Sequence, residues 1–271
     1  VAAARARGID VLVTDHHLPG AELPAANVMV NPNLPGSRFG SRALAGVGVA
    51  FYVMVALKRA LDSAGLVAPS APAPAERLDL VALGTVADVV PLDFNNRVLV
   101  AQGLARIRAG RCVPGIRALL EIARRDRADL TASDLGFAIA PRLNAAGRLD
   151  DMSIGIRCLL ADREVEARSL AARLDQLNVE RRAIEGQMQV QALAAVRHLG
   201  PIATPGARQR SGVCLFDATW HQGVVGLVAS RVKERVRRPV VAFANGGDGY
   251  LRGSARSVAG VHVRDVFENI A

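Results

Sequence analysis

The hydrophobic positions of the chain fall into short and long segments that predict alternating strands and helices. Short continuous apolar runs, bounded by polar and turn residues, are typical of strands that are buried in a sheet. Such runs predict strands at residues 9–14, 27–30, 213–216 and 239–244, with a returning strand at 250–257. Longer apolar or amphipathic stretches predict helices at residues 43–57, 97–107, 153–198 and 223–236. This alternation predicts an α/β fold with a parallel sheet.

The helical stretch at residues 153–198 predicts how the chain is divided. It contains no proline, and its large apolar residues, leucines together with Ile184 and Met188, recur near every third or fourth position. A chain of 271 residues is long enough for two domains. We therefore expect a parallel-sheet domain at 1–150, a helical connector at 151–210 and a smaller α/β domain at 211–271. A coiled-coil dimer stripe is the alternative interpretation, although the spacing is not a strict heptad.

The charge of the chain favours a polyanionic partner. The formal net charge is +9, the isoelectric point is near 10.7, and most of the excess comes from arginine. Because arginine neutralises phosphates, this balance favours nucleic acid. A GC-rich genome that uses arginine in place of lysine is the alternative explanation. Aromatic residues make up only 4% of the chain, so bases can stack on aromatic rings only locally.

The cysteines and the hydropathy pattern indicate a reducing compartment and no membrane segment. Cys112, Cys158 and Cys214 are odd in number, far apart and without CxxC spacing, so neither a zinc knuckle nor an obvious disulfide framework is expected. The cytoplasm fits this usage best. The longest uncharged run, residues 43–57, is shorter than the ~20 residues that a membrane span needs, and we expect it to form a buried helix. The start of the chain has no signal peptide and no initiator methionine, so we expect the sequence to begin inside a longer protein.

Asp15, His16 and His17 directly follow the first predicted strand. In an open α/β sheet, residues just beyond the carboxyl end of a strand face the ligand crevice. A carboxylate and two imidazoles are ligands that divalent Mn, Fe or Zn accepts. The pattern therefore predicts a metal site. The alternative interpretation is that one histidine caps a helix and the other is exposed.

Asp88 lies in the apolar segment LVALGTVADVVPL, residues 80–92. An unpaired carboxylate in such a setting is costly, so a buried Asp88 needs a partner. The residues alone leave two interpretations open: a helix-capping aspartate bonded to backbone amides, or a carboxylate with a functional role.

The segment PRLNAAGRL, residues 141–149, combines small residues with two arginines. Pro141 is expected to end a helix. The small residues let the backbone approach a ligand, while Arg142 and Arg148 are suited to bidentate binding of phosphate, with Asn144 between them. The pattern does not decide which arginine faces the ligand.

Two segments of the C-terminal part also favour an anion. His221 precedes glycines at the start of a predicted helix, where free amides and the helix dipole attract negative charge. Ser254 and Arg256 bring a hydroxyl and a guanidinium together near the end of the chain, a combination suited to a nucleotide phosphate. A structural histidine at a strand end is the alternative for His221.

These motifs together resemble a known family. Asp-His-His after an apolar strand resembles the signature of the DHH phosphoesterase superfamily. The segment at residues 80–92 is similar to the RecJ branch, the single-strand-specific exonucleases of bacteria. PRLNAAGRL, WHQGVVGLVASR at 220–231 and RGSARS at 252–257 follow in the order of that family. The ordered motifs cover nearly the whole chain.

The resemblance implies a fold, a reaction and a set of functional residues. It implies a parallel-sheet DHH domain, a long helical connector and a smaller α/β domain of the DHHA1 type. The implied reaction is metal-dependent hydrolysis of single-stranded DNA from its 5′ end in DNA repair and recombination, with two Mn²⁺ or Mg²⁺ ions. A single-strand-binding protein or a helicase is an expected partner. The implied metal ligands are Asp15, His16, His17 and Asp88. The implied phosphate and DNA ligands are Arg142, Asn144, Arg148, His221, Ser254 and Arg256.

The chain departs from the family pattern at both ends. The family also uses an Asp-x-Asp turn and a further aspartate before the Asp-His-His strand, and a Gly- and His-containing segment after the last motif. We therefore expect this fragment alone to be weakly active or inactive. Two alternatives stay open: a relative that cleaves short oligonucleotides, a nucleoside bisphosphate or cyclic dinucleotides, and a non-catalytic nucleic-acid-binding module. Retention of the clustered ligands argues against the second.

Overall fold

The computed structural model describes residues 1–68, 70–198, 211–247 and 249–270. The chain divides into two compact units. Unit 1 comprises Val1–Leu143 and Ile154–Arg173, and unit 2 comprises Asn144–Ser153 and Leu174–Ala271. The sequence-based domain bounds at residues 150 and 210 stay a prediction. The Pro-, Gly- and Arg-containing segment at 201–211 predicts a loop at the domain boundary, and all of it except Ser211 lies outside the described residues.

The five predicted strands form, but a run of consecutive helices, and not a strict alternation, lies between the second strand and the third. A short 3₁₀ turn lies at Pro74–Arg77 and a short π-helical turn at Leu135–Ile139. The strands are β1 (Leu12–Thr14), β2 (Val28–Val30), β3 (Val213–Phe216), β4 (Val240–Asn245) and β5 (Leu251–Arg256). The helices are α1 (Ala2–Arg5), α2 (Gly46–Ser63), α3 (Leu78–Ala87), α4 (Phe94–Arg108), α5 (Pro114–Ile122), α6 (Ala132–Asp134), α7 (Ala140–Leu149), α8 (Ser153–Leu160), α9 (Glu164–His198), α10 (Val225–Val236) and α11 (Val263–Glu268).

Unit 1 combines a short parallel sheet with packed helices. β1 and β2 are parallel, with Leu12 opposite Val28 and Thr14 opposite Val30. α3 packs closely against α4 because Gly103 has no side chain: a Cβ there would lie 2.2 Å from the Leu78 carbonyl oxygen. This contact holds α3 in place, and Asp88 follows at its C-terminal end.

Two predictions for the helices of unit 1 are wrong in detail. The uncharged run expected to be a buried helix begins as α2 at Gly46, and only one side of this helix is buried, since Met54, Val55 and Leu57 are exposed. Pro141 does not end a helix but lies near the start of α7. The preceding π turn offsets the backbone hydrogen-bond ladder, which accommodates a residue without an N–H group.

Unit 2 is built on a three-stranded sheet in the order β3-β4-β5. β3 pairs with β4 in parallel, and β5 returns antiparallel to β4, as the hairpin pattern predicts. α10 packs against β4 and β5. The core consists of apolar residues from α9, α10 and the sheet, with Trp220 among them.

The predicted helical connector is two helices rather than one. α8 ends at Leu160, and α9 starts at Glu164 and extends to His198. α9 starts in unit 1 and continues in unit 2. Among the described helices, none is long and apolar enough to cross a membrane.

Candidate metal and phosphate sites

The turn after β1 is held by two asparagines. The Nδ2 group of Asn31 donates to the His17 carbonyl oxygen at 2.9 Å and to Asp15 Oδ2 at 3.4 Å. The Nδ2 group of Asn33 donates to the His16 carbonyl oxygen at 2.7 Å. No local pattern in the sequence shows that these two amides reach back to the Asp-His-His backbone.

Asp15 and His17 form one of two imidazole–carboxylate pairs. His17 Nδ1 lies 2.8 Å from Asp15 Oδ1, and 77% of the His17 side chain is exposed. The pKa of Asp15 lies below its ordinary value: burial acts to raise it, but hydrogen bonds from the His17 side chain and from the amides of His16 and His17 outweigh that effect. Asp15 is therefore an anion at neutral pH.

His16 and Asp88 form the second pair and join two distant motifs. His16 Nε2 lies 3.4 Å from Asp88 Oδ2, across the gap between the β1 turn and the end of α3. The expectation of a buried Asp88 is wrong, because this side chain is 42% exposed where α3 ends. Val89 beside it has a φ of 60°, a strained conformation for a β-branched residue.

The four side chains fit a divalent metal chemically, although they supply only part of a coordination sphere. Two imidazole nitrogens and two carboxylates are a donor set that Mn²⁺ accepts. Within the described ranges, no group of three or more His, Cys, Asp or Glu side chains is arranged to hold a metal ion. The rings of His16 and His17 are 4.3 Å apart at their centroids, so the two pairs are neighbours.

In unit 2, Arg256 is fixed by two serine hydroxyls. Its Nε donates to Ser230 Oγ and its Nη1 to Ser254 Oγ, each at 2.8 Å. Gly226 on α10 leaves room for this arrangement, since a Cβ there would lie 2.8 Å from Arg256 Nη2. The sequence singles out Ser254 and Arg256 but misses Ser230, whose position one residue before the end of WHQGVVGLVASR was the available signal.

Arg148 belongs to the same unit as Arg256. Its Nη1 donates to the Gly223 carbonyl oxygen at 3.0 Å. Burial lowers the pKa of Arg148, and the positive charge of Arg256 lowers it further. Guanidinium groups such as these two bind an anion like phosphate through charge-assisted hydrogen bonds.

His221 lies in the turn before α10. Its Nδ1 accepts a hydrogen bond from the Gly223 amide at 3.1 Å. In a neutral imidazole this leaves the proton on Nε2, which is then a donor. The turn thus links His221 to the glycine that Arg148 contacts.

Arg142 and Asn144 are placed differently from Arg148. Arg142 belongs to unit 1, and its Nη1 donates to the carbonyl oxygen of Ala138 in the preceding turn. Asn144 is exposed at the start of the α7 segment that belongs to unit 2. The structure brings Arg148, Ser254 and Arg256 into unit 2 and relates His221 to them through Gly223, whereas Arg142 is bonded to the turn that precedes its own helix.

Two family models match the chain. The DHH family, N-terminal domain, matches residues 1–85, which include Asp15, His16 and His17. The DHHA1 domain matches residues 209–271, which include His221, Ser254 and Arg256. The two matches cover the two candidate sites apart from Asp88 and the α7 residues.

Curated proteins and solved structures extend the match across the chain. It is 59% identical to the single-stranded-DNA-specific exonuclease RecJ of Dickeya dadantii over 98% of the chain and 46% of that protein. It is 57% identical to the enzyme of the same name from Escherichia coli, again over 98% of the chain and 46% of the relative. The structure of RecJ with Mn²⁺ from Thermus thermophilus is similar, with a TM-score of 0.79 and 36% identity over 98% of the chain and 38% of that structure. The chain therefore spans about half the length of these curated relatives, and it belongs to the RecJ family of DHH proteins.

Proposed function

We propose that the protein carrying this chain is a metal-dependent exonuclease that hydrolyses phosphodiester bonds of single-stranded DNA from the 5′ end. The observation that carries the proposal is the approach of His16 Nε2 to Asp88 Oδ2 at 3.4 Å. This approach brings the Asp-His-His turn next to the segment at residues 80–92, the second motif that resembles the family. The names of the relatives with 59% and 57% identity support the same substrate and reaction.

The proposed metal ligands are Asp15, His16, His17 and Asp88, and the proposed ions are Mn²⁺ or Mg²⁺, bound as a pair in the full-length protein. Bound ions of this kind supply Lewis-acid chemistry that stabilises charge on a phosphate and activates water. The chain itself orients two of the ligands, because the Asn31 amide holds both the His17 backbone and the Asp15 carboxylate. Solved RecJ structures with Mn²⁺ and Mg²⁺ support this choice of ions.

Unit 2 would bind the phosphates of the strand. Arg148 and Arg256 supply charge-assisted hydrogen bonds, and the Ser254 hydroxyl fixes the direction of the second guanidinium. His221 would donate a hydrogen bond from its Nε2 to a phosphate oxygen. Asn144 and Arg142 belong to the proposed DNA-binding set as residues of the family motif.

The partner proteins and the compartment are also proposals. We propose a single-strand-binding protein or a helicase as partner, since an exonuclease of this class needs a strand to be exposed. Cys112, Cys158 and Cys214 are free, which supports a reducing cytoplasm.

The test is cleavage of 5′-labelled single-stranded DNA by the full-length protein with Mn²⁺. Asp88→Asn keeps the shape of the side chain and removes its charge. Loss of groups that merely support metal ligands costs up to about a hundredfold, so we expect a larger loss of rate here. Asp265→Asn is the matched control, because Asp265 also pairs with a histidine, His262, at 3.3 Å. Cleavage by Asp88→Asn at the wild-type rate would contradict the proposal.

The same assay separates the two other functions. Faster cleavage of dinucleotides or cyclic dinucleotides than of long single strands would favour a phosphodiesterase of small substrates. Tight binding of the strand without cleavage by the full-length wild type at any metal concentration would favour a non-catalytic binding module.

A further inference from the structure

One face of α9 is polar where unit 2 buries it. Asn178, Arg181 and Glu185 lie on successive turns of the helix, and Met188 and Ala192 continue the same stripe into the core. Asn178 is buried, and only 13% of the Arg181 side chain and 12% of the Glu185 side chain are exposed. The buried stripe of α9 is thus polar at residues 178–185 and apolar at residues 188–192.

Stability does not explain this buried ion pair. Taking two charges out of water costs about as much as their attraction returns, and apolar residues of similar volume often serve the fold equally well. Met188, one turn further on, is such a residue. Arg181 and Glu185 are therefore better explained by a role in binding than by a contribution to stability.

The Glu185 carboxylate is surrounded by arginines. Its Oε2 pairs with Arg181 Nη1, and its Oε1 lies 3.5 Å from Arg231 Nε. Arg181 Nη2 also donates to Asn178 Oδ1 at 2.8 Å, which fixes the plane of that guanidinium. Arg148 is within electrostatic range of the same carboxylate: burial and the charge of Arg256 lower the pKa of Arg148, and the charge of Glu185 acts in the opposite direction.

We infer that Glu185 is a positioning residue, which holds Arg148 and Arg181 beside Arg256 so that their guanidinium groups meet a phosphate together. One carboxylate among several arginines leaves the cluster positive, so it orders the arginines without cancelling their attraction for an anion. The identity of the ligand as a DNA strand rests on the proposed function, but the positioning of the arginines does not.

The inference is tested by the sign of a change in affinity. Glu185→Gln and Glu234→Gln both raise the net charge by one, and Glu234 also pairs with Arg231, at 3.7 Å. If charge alone matters, both variants bind single-stranded DNA more tightly. If Glu185 positions the arginines, Glu185→Gln binds about tenfold more weakly, while Glu234→Gln does not. Fluorescence anisotropy of a labelled strand with the full-length protein in EDTA measures binding without cleavage.

Two further variants separate positioning from folding. Glu185→Asp keeps the charge and is expected to restore part of the affinity. Arg181→Met with Glu185→Met replaces the pair by apolar residues, so the thermal unfolding temperature is expected to stay the same or rise while binding stays weak. The inference would be overturned if Glu185→Gln or this double variant bound single-stranded DNA as tightly as the wild type.

A structural measurement keeps this inference distinct from the proposed function. If the wild type binds no single strand at all, the proposed substrate is wrong. The crystal structure of Glu185→Gln then still decides the positioning role. Displacement of Arg148 Nη1 from the Gly223 carbonyl oxygen, 3.0 Å away in the wild type, is the expected result. An unmoved Arg148 would overturn the inference in that case too.

Discussion

The two candidate sites are built in different ways. In unit 1, Asp15, His16, His17 and Asp88 form two separate pairs, and most of the His17 side chain is exposed. In unit 2, Arg256 is held by two hydroxyls, and the other arginines of the site are fixed by a carbonyl oxygen and by Glu185. The first site pairs its imidazoles and carboxylates with each other, whereas the second holds its arginines with hydrogen bonds to hydroxyls, a carbonyl oxygen and Glu185.

The difference follows from the chemistry of each ligand. A metal ion would itself draw its ligands into place, so part of the order of such a site can come from the ion. A phosphate is bound by hydrogen bonds from long flexible side chains, and these lose rotamer entropy unless the fold has already fixed them. We therefore expect variants in unit 1 to affect turnover and variants in unit 2 to affect binding.

The largest effect is expected for His17→Ala. The exposed imidazole has little packing to lose, so folding is expected to be unchanged, while the rate of DNA cleavage falls by more than about a hundredfold. Affinity for single-stranded DNA in EDTA is expected to stay at the wild-type value. His262→Ala, which removes another exposed imidazole paired with a carboxylate, is the control. An equal loss of affinity and rate in His17→Ala would remove the contrast between the two sites.

The next effect is expected for Arg256→Gln. Loss of one phosphate contact is expected to weaken binding of every sequence alike and to reduce the slope of log K against log salt concentration by about one. Anisotropy titrations at several salt concentrations measure both quantities. Arg59→Gln removes an exposed arginine of α2 and serves as the control for net charge. A slope that both variants change equally would contradict a specific contact at Arg256.

A smaller effect on binding is expected for Gly226→Ala. The added methyl group would lie 2.8 Å from Arg256 Nη2 and 3.1 Å from Ser254 Oγ, so the flexible guanidinium has to move while the backbone stays in place. We expect several-fold weaker DNA binding with little change in thermal unfolding. Gly186→Ala, where nothing lies within 4 Å, is the matched control. Normal affinity in Gly226→Ala would show that the exact position of Arg256 is unimportant.

The smallest effects are expected at two aspartates that hold turns, one in each unit. Hydrogen bonds from the Asn96 amide and the Ser41 hydroxyl lower the pKa of Asp93, and those from the Thr219 hydroxyl and amide lower the pKa of Asp217. Because both folded-state values lie below the ordinary value, the stability they contribute is present above about pH 4 and is lost as the pH falls further.

Asp93→Ala and Asp217→Ala test this pH dependence. Asp93→Ala is expected to lower the free energy of unfolding by about 1 kcal/mol at pH 7, the usual contribution of an N-capping aspartate. Asp217→Ala is expected to have a smaller effect, because Asp217 holds a turn and does not cap a helix. The difference from the wild type is expected to shrink as the pH is lowered through the folded-state pKa. Denaturant unfolding at pH 7 and near pH 3 measures it. A difference that is the same at both pH values would contradict a contribution from the ionised carboxylate.

Local patterns were enough to predict most elements. The apolar runs predict β1, β2, β3 and β4, and the turn-forming residues between 245 and 250 predict the return of β5. Predictions from local patterns fail where the neighbouring structure overrides the local preference of a residue. Pro141 lies inside a helix because a π turn precedes it, and α2 is only partly buried because its apolar run has one face outside the core of unit 1.

Residue type and order alone predict the candidate site residues, because an Asp-His-His turn and an arginine close to a serine are recognisable without coordinates. Which of these residues meet in space became clear only from the packing of the elements. The pairing of His16 with Asp88 depends on where α3 ends, and the arginine cluster depends on Glu185 and Ser230 arriving from two helices. Distances between residues far apart in the chain follow from how the elements pack, and no local pattern of hydrophobic and polar positions contains them.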